Sequence, residues 1–223
     1  MRILSEVMLK LDVVRKFPMP KGAKVLVVNH PTTSDPFVIT NISREHSIIL
    51  VKEVLFDIPI FGKYLKWSGH IPVVEGEGKK AFERAQKFLR KGKTIIVFIE
   101  GEISLPDGEV FKPKTGAVRL ALSCKVPIVP VGVGVKKENI KLLYSKIKGE
   151  RELGTWYFWG PYAITIGRPM TLVGRVSDRT NVRALSKKLM RKVIALSHES
   201  QERILVAGTG GSNRFNGNKF SIG

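Results

Sequence analysis

Short apolar segments alternate along this chain with segments of helical character. Val25–Val28 is wholly apolar, which is typical of a strand buried on both faces of a sheet. Strands are predicted at 25–28, 47–51, 71–74, 94–99, 126–135 and 164–166. Helices are predicted at 35–42, 79–90, 118–122 and in a segment that Asp178 or Thr180 would cap. This alternation predicts an α/β single domain with a mostly parallel central sheet flanked by helices.

The 223 residues suffice for one sizeable core. We expect an N-terminal amphipathic helix in residues 1–20, the main domain in 21–200 and a flexible tail in 201–223, where Gly, Ser and Asn are frequent. Residues 3–14 carry apolar side chains at helical spacing. Such a helix packs on its own core or lies in a lipid interface, and the spacing does not separate the two.

The charge of the chain restricts its partners. Thirty-eight Lys and Arg against nineteen Asp and Glu give a formal net charge of +19. This surface attracts polyanions, namely nucleic acid, an anionic membrane leaflet or an acidic carrier protein. No segment approaches the ~18–20 apolar residues that cross a bilayer, so any membrane association is expected to be peripheral. Cys124 is the single cysteine, which excludes an intrachain disulfide and favours a reducing compartment.

Candidate catalytic residues follow the first apolar strand directly, in the segment Asn29-His30-Pro31-Thr32-Thr33-Ser34-Asp35. Ligand sites of α/β sheets lie at the carboxyl ends of strands. A carboxylate that accepts from one imidazole nitrogen fixes the tautomer and leaves the other nitrogen to take a proton from a hydroxyl group. His30 and Asp35 can form such a pair. Polar loop residues also cap helices and form turns, so this spacing alone leaves both interpretations open.

The segments that follow give the pattern more weight. In chain order they are Lys52–Gly62, Gly69–Val73, Phe98–Gly101, Phe111–Ala117, Val126–Val131 and Ile166–Pro169. Together with Asn29, His30 and Asp35, this order resembles the glycerolipid acyltransferase family, which includes 1-acylglycerol-3-phosphate acyltransferases. The resemblance covers roughly residues 22 to 198 and implies the glycerol-3-phosphate acyltransferase-like fold.

The resemblance implies that His30, oriented by Asp35, deprotonates an acceptor hydroxyl, which attacks an acyl thioester without a covalent enzyme intermediate. The donor would be acyl-CoA or acyl-carrier protein, used as a co-substrate, and no cofactor or metal is implied. The acceptor would be a lysophospholipid such as 1-acylglycerol-3-phosphate. Substrate contacts are expected from Asn29, Glu100, Gly101, Lys112 and Lys114. The alternative for Glu100 is a solvated carboxylate at a strand end.

The sequence departs from the family pattern at two points. The arginine that usually ends the second motif is replaced by Val74-Glu75, and the Thr-Arg of the third motif is Glu102-Ile103. Arginine forks suit phosphate, whereas Glu75 and Glu102 repel it. Lys112, Lys114 and Arg119 are the compensating cations. The acceptor is therefore a phosphate-bearing lysolipid or a hydroxyl or amine lipid without a free phosphomonoester.

Trp156–Trp159 follows a basic segment, residues 136–151. Aromatic rings beside cations suit the headgroup zone of a membrane, single-stranded nucleic acid, or a plain strand with core-facing rings. Similarly, Phe56, Ile58, Ile60 and Phe61 either line an acyl groove or pack in the core.

We therefore expect a peripheral enzyme at the cytoplasmic face of a membrane, with anionic lipid, a lysolipid and an acyl thioester as partners. Nucleic-acid binding is the alternative of another class, but no recognised motif supports it and the basic residues are spread along the chain. A family member that binds lysolipid without catalysis is the third possibility. His46 is expected at the surface, and His70, beside the second motif, is expected not to contact substrate.

Overall fold

Strands and helices alternate through most of the computed structural model, which describes residues 8–43, 45–58, 61–101, 103, 112–147 and 150–209. The strands are β1 (Leu9–Arg15), β2 (Lys24–Val28), β3 (Ser47–Lys52), β4 (Ile71–Val73), β5 (Thr94–Phe98), β6 (Ile128–Val135), β7 (Ile140–Ile147), β8 (Glu150–Tyr157) and β9 (Gly160–Ile166). The helices are α1 (Asp35–Ile39), α2 (Phe61–Trp67), α3 (Gly78–Arg90), α4 (Gly116–Cys124) and α5 (Arg179–Thr209). Short 3₁₀ segments lie at Glu53–Asp57 and Lys137–Asn139.

Seven strands form the central sheet in the order β1-β9-β6-β2-β5-β3-β4. The strands from β6 to β4 are parallel to one another, and β9 joins them antiparallel to β6, with β1 parallel to β9. Strands β7 and β8 form a separate antiparallel hairpin. The predicted α/β fold with a mostly parallel sheet is confirmed.

The sheet has an apolar cluster on each face. The side chains of β2, at the centre of the sheet, point alternately to the two faces and are all buried. Leu26 and Val28 pack on the face that carries α1 and α2, and Val25 and Val27 pack on the face that carries α3, α4 and α5. Neighbouring strands β2 and β5 run parallel in a register that pairs Val28 with Phe98. The loops after these two strands therefore meet at one edge of the sheet.

The predicted N-terminal amphipathic helix is wrong where the structure tests it. Residues 9–15 form the edge strand β1, paired with β9, and the first part of the predicted helix, residues 3–7, lies outside the described residues. Leu9, Leu11 and Val13 are more buried than Lys10 and Asp12. Over seven residues this two-residue alternation fits a strand, and a partner strand far along the chain decides in its favour.

The predicted flexible tail is wrong for residues 201–209, which continue α5, and the remaining tail residues lie outside the described part. The helix reaches this far because its backbone packs directly on β6. A Cβ on Gly132 would come within 2.1 Å of the Leu196 carbonyl carbon, and one on Gly134 within 2.6 Å of the Gln201 amide nitrogen. Ile204 is buried.

Two helix starts were predicted closely. The Asp178 carboxylate accepts a hydrogen bond from the Asn181 amide at 2.9 Å, so Asp178 caps α5. Helix α1 begins at Asp35 with Ser34 as its cap and ends at Ile39, three residues before the predicted end. Among the described helices, none has the length and apolar character needed to cross a bilayer.

Candidate active site

His30 and Asp35 meet, as the sequence predicts. The His30 Nδ1 lies 2.9 Å from Asp35 Oδ2, across the loop that joins β2 to α1. A carboxylate partner favours the imidazole tautomer with the proton on Nδ1, and in that neutral tautomer Nε2 keeps its lone pair. Asp35 is fully buried, whereas the His30 side chain keeps 14% of its surface exposed. This geometry suits a base at the surface of the fold with its anionic partner beneath it.

The Asp35 carboxylate is held by further donors. Oδ2 also accepts from the Thr32 amide at 2.8 Å, and Oδ1 accepts from the Thr32 hydroxyl and the Tyr162 hydroxyl, each at 2.7 Å. Burial and the neighbouring carboxylate raise the pKa of Tyr162 well above its usual value, so its hydroxyl remains a donor. These bonds compensate the cost of burying the charge and fix its position.

The loop after β5 fixes the other side of His30. The imidazole stacks on the Phe98 ring with centroids 3.9 Å apart and planes 16° apart. The His30 amide donates to Glu100 Oε2 at 3.2 Å, and Glu100 is buried. The alternative of a solvated Glu100 is therefore wrong. Its carboxylate joins the two loops at the edge of the sheet.

Gly101 and Lys114 also come together at this edge. Gly101 has a positive φ of 77°, and a Cβ there would lie 3.0 Å from Lys114 Cγ and Cε. The lysine stem therefore runs over the glycine. The Gly101 amide donates to the Phe98 carbonyl at 3.1 Å, and the Lys114 amide donates to the Ile99 carbonyl at 2.9 Å. Lys114 and Lys112 are exposed, and their substrate contacts stay predictions.

The Asn29 amide is engaged with the backbone of β6. Its Nδ2 donates to the Val133 carbonyl at 2.9 Å, and its Oδ1 accepts from the Val133 amide at 2.7 Å. This pair extends the pairing of β2 with β6 beyond the end of the strand. It fixes the start of the His30 loop, and a contact of Asn29 with substrate stays a prediction.

The hairpin β7–β8 docks on the same loop, which the sequence did not reveal. The Thr33 amide donates to the Thr155 carbonyl at 2.7 Å, and the Thr155 amide donates to the Thr33 hydroxyl at 3.0 Å. The Tyr157 amide donates to the Ser34 hydroxyl at 3.0 Å. The residues between His30 and Asp35 thus anchor the hairpin. More than a hundred residues separate the partners, so no local pattern signals this contact.

The second histidine of interest, His70, precedes β4 and is buried. Burial lowers its pKa from 6.5 to about 4, with His46 as a smaller cause, so its ring is neutral. Its Nδ1 accepts from the Ile49 amide at 3.4 Å. The expectation that His70 does not contact substrate stays a prediction. A mixed-charge pocket with Lys66, Arg84 and Asp57 among its lining residues lies beside it.

Of the two glutamates that replace the expected phosphate-binding pattern, the structure describes only Glu75. Glu75 is exposed after β4, and Glu102 lies outside the described residues. Of the compensating cations, Lys114 lies at Gly101, whereas the Arg119 guanidinium lies 5.3 Å from the centre of the Phe82 ring on α3. Of these two cations, Lys114 is therefore the one that lies against the loop after β5, beside His30.

The chain is thus an α/β protein whose mostly parallel sheet carries, at its carboxyl edge, a histidine backed by a buried carboxylate. The profile of the Acyltransferase family matches residues 10–134 of this chain. The chain belongs to that family.

Individual relatives agree with this assignment. The chain is 29% identical over 125 residues to the 1-acyl-sn-glycerol-3-phosphate acyltransferase of Escherichia coli, covering 54% of this chain and 51% of the relative. It is 31% identical over 137 residues to the Saccharomyces cerevisiae protein of the same name, covering 58% and 45%. The chain thus spans about half the length of these relatives.

The fold has a counterpart among solved structures. The crystal structure of the 1-acyl-sn-glycerophosphate acyltransferase PlsC from Thermotoga maritima superimposes with a TM-score of 0.60. The match covers 87% of this chain and 73% of that one, at 24% identity. This likeness supports the fold.

Proposed function

We propose that this chain is an O-acyltransferase that moves a fatty acyl group from acyl-CoA or acyl-carrier protein to the hydroxyl of a lysophospholipid. The observation that carries the proposal is the 2.9 Å contact between His30 Nδ1 and buried Asp35. Family membership and the names of the E. coli and yeast relatives support the reaction class.

In the proposed reaction, Nε2 of His30 takes the proton of the acceptor hydroxyl as its oxygen attacks the thioester carbonyl carbon. The imidazolium that forms is stabilised by Asp35. The tetrahedral intermediate collapses, its C–S bond breaks, and the leaving thiolate takes the proton from His30. The products are an ester and a free thiol, and the enzyme returns to its starting protonation state. No cofactor or metal takes part in this scheme.

For the acceptor we propose a lysophospholipid of the 1-acylglycerol-3-phosphate type, with Lys114, whose stem lies against Gly101, as a candidate cation for its phosphate and Lys112, Glu100, Gly101 and Asn29 as further candidate contacts. Exposed Glu75 opposes a phosphomonoester, so a lysolipid with a phosphodiester headgroup is the competing acceptor. We also propose that the enzyme works as a peripheral protein on an anionic membrane surface, on its cytoplasmic face.

The test is a panel of lysolipids with phosphomonoester, phosphodiester or neutral headgroups, each incubated with acyl-CoA or acyl-carrier protein and analysed by mass spectrometry. We expect a diacyl product with at least one phosphate-bearing acceptor. His30→Ala should remove the product while the circular dichroism spectrum stays unchanged, because His30 is partly exposed. A near-normal rate in the folded variant would exclude His30 as the base.

A further inference from the structure

Apolar side chains concentrate on the surface of the β7–β8 hairpin and the two residues after it. Among the residues that the structure describes, thirteen large apolar side chains are exposed, and six of them lie here. We call them the hairpin cluster: Leu142, Leu143, Tyr144, Leu153, Phe158 and Trp159. Grouped exposed apolar side chains of this kind mark an interaction surface.

Rings and cations are paired on this surface. The Arg151 guanidinium lies 4.8 Å from the centre of the Tyr144 ring, and the Lys141 ammonium lies 5.6 Å from that of Trp159. The Phe158 ring stacks between those of Trp156 and Trp159, with centroids 5.7 and 6.2 Å away. An aromatic and aliphatic surface bordered by cations matches the boundary between lipid headgroups and acyl chains.

The cluster is tied mechanically to the candidate active site. The hairpin is hydrogen-bonded to Thr33 and Ser34, within the loop between His30 and Asp35. Gly154 leaves room for the indole of Trp156, because a Cβ there would lie 2.6 Å from Trp156 Nε1, and the same position lies at contact distance, 3.4 Å, from Thr33 Oγ1. The hairpin is therefore attached to the loop that carries the imidazole.

We propose that the β7–β8 hairpin is a membrane-docking element, which inserts the hairpin cluster into the interface of an anionic bilayer and brings the His30 loop to its lipid. The inference rests on the lipid acceptor of the proposed function. Charge favours a lipid surface over a second copy of the chain, because two copies with a formal net charge of +19 each repel one another.

Aliphatic side chains favour lipid over nucleic acid as the polyanion. Bases stack on rings, and Leu142, Leu143 and Leu153 offer no ring. In a bilayer the same leucines are transferred from water to acyl chains, which is favourable in proportion to their area.

The first experiment uses the natural tryptophans, which are Trp67, Trp156 and Trp159. Trp67→Phe leaves emission only from Trp156 and Trp159, in and beside the cluster. Trp156→Phe with Trp159→Phe leaves emission only from Trp67, which is 86% exposed on α2. Vesicles containing brominated phosphatidylglycerol should quench most of the emission of the first protein and little of that of the second. Equal quenching, quenching of Trp67 alone, or none would overturn the proposal.

The second experiment measures flotation with vesicles of phosphatidylcholine alone or mixed equally with phosphatidylglycerol. Tyr144→Ser with Leu153→Ser, an exposed cross-strand pair, should weaken binding to the mixed vesicles by about tenfold or more. The matched control, Val173→Ser with Leu205→Ser, removes exposed apolar groups elsewhere and should bind like the parent. Equal binding by both variants, equal losses in both, or binding by the parent to single-stranded DNA in place of vesicles would contradict the proposal.

Turnover separates this proposal from the proposed function. With a short-chain lysolipid dissolved as monomers, the Tyr144→Ser/Leu153→Ser protein should keep the parent rate, and with the acceptor embedded in vesicles it should lose at least about tenfold. If no protein transfers acyl groups but the tryptophans are quenched as expected, the proposed function fails and the docking element stands. If transfer from vesicles is unaffected by the variant, the docking element fails and the proposed function stands.

Discussion

The two histidines near the sheet differ both in their place along a strand and in their surroundings. His30 follows central strand β2, has a carboxylate 2.9 Å from Nδ1 and keeps part of its side chain exposed. His70 precedes edge strand β4, lies buried, and has a backbone amide as the donor to its Nδ1. In His30 the partner accepts, which leaves Nε2 available for the proposed role as a base. In His70 the partner donates, so the lone pair of Nδ1 is used in a structural hydrogen bond.

Hydrogen bonds offset the cost of burying the Asp35 carboxylate. Asp35 is buried with donors from Thr32, Tyr162 and His30, so the charge that orients His30 is compensated inside the protein. The Nδ1 of His70 accepts from a backbone amide, and burial keeps the ring neutral by lowering its pKa to about 4. His30, and not His70, is the candidate base, because the fold places behind it a carboxylate whose oxygens accept hydrogen bonds from several donors.

The same substitution at both histidines should separate their roles. His30→Asn is expected to lower kcat by about 10³-fold, because a general base contributes about 10²–10⁴-fold. His70→Asn should leave kcat within a few-fold and lower the free energy of unfolding by about 1–2 kcal/mol, since a buried side chain is replaced by a smaller one. Acyl-transfer kinetics and urea unfolding of both proteins check this. Loss of activity in both, with both folded, would remove the distinction.

Asp35→Asn tests the charge of the buried partner separately from its shape. An asparagine oxygen in place of Oδ2 still accepts from His30 and Thr32, and its amide donates to the Thr32 and Tyr162 hydroxyls. The lost charge no longer stabilises the imidazolium, so we expect kcat to fall about 10²-fold with KM nearly unchanged. Steady-state kinetics measure this split. A parent-like kcat would show that orientation alone suffices.

Much of this site follows from local sequence, and the rest depends on distant pairing. Val25–Val28 is apolar enough to be a central strand wherever it lies, and His30 and Asp35 are close along the chain. Tyr162 comes from β9, two strands away in the sheet, and reaches Asp35 only because β9 pairs with β6. No pattern around Tyr162 indicates that contact.

Strand β1 and helix α5 show the same limit in secondary structure. The apolar spacing of residues 9–15 suits helix and strand alike, and pairing with β9 decides between them. The composition of residues 201–209 suggests a flexible segment, but contact of the helix backbone with Gly132 and Gly134 stabilises it. Local patterns therefore predict elements that are buried on both faces better than those at edges and ends.

Acid should weaken the fold through His70. Above pH 6.5 its ring is neutral in both folded and unfolded protein, so it does not affect the pH dependence. Between pH 6.5 and about 4 the unfolded chain binds a proton that the folded chain excludes, so stability falls as pH falls, by roughly 3 kcal/mol in all. Urea unfolding at pH 7 and pH 5 measures the slope. His70→Asn should lose this part of it, and an unchanged slope in the variant would assign the acid sensitivity to other groups.

The smallest effect is expected at Tyr162, where one hydroxyl contributes to the position of Asp35. Tyr162→Phe keeps the buried ring and removes one of the donors to Oδ1, while the Thr32 hydroxyl remains. We expect kcat to fall three- to tenfold, as for the loss of about 1 kcal/mol, with stability lowered by a similar amount. Tyr157→Phe is the matched control, because the Tyr157 hydroxyl donates to the Pro161 carbonyl at 2.7 Å. Tyr157→Phe should lower the free energy of unfolding by a similar amount to Tyr162→Phe and leave kcat unchanged. If both variants lowered kcat equally, Tyr162 would act through general packing, and the carboxylate behind His30 would be oriented by its own loop alone.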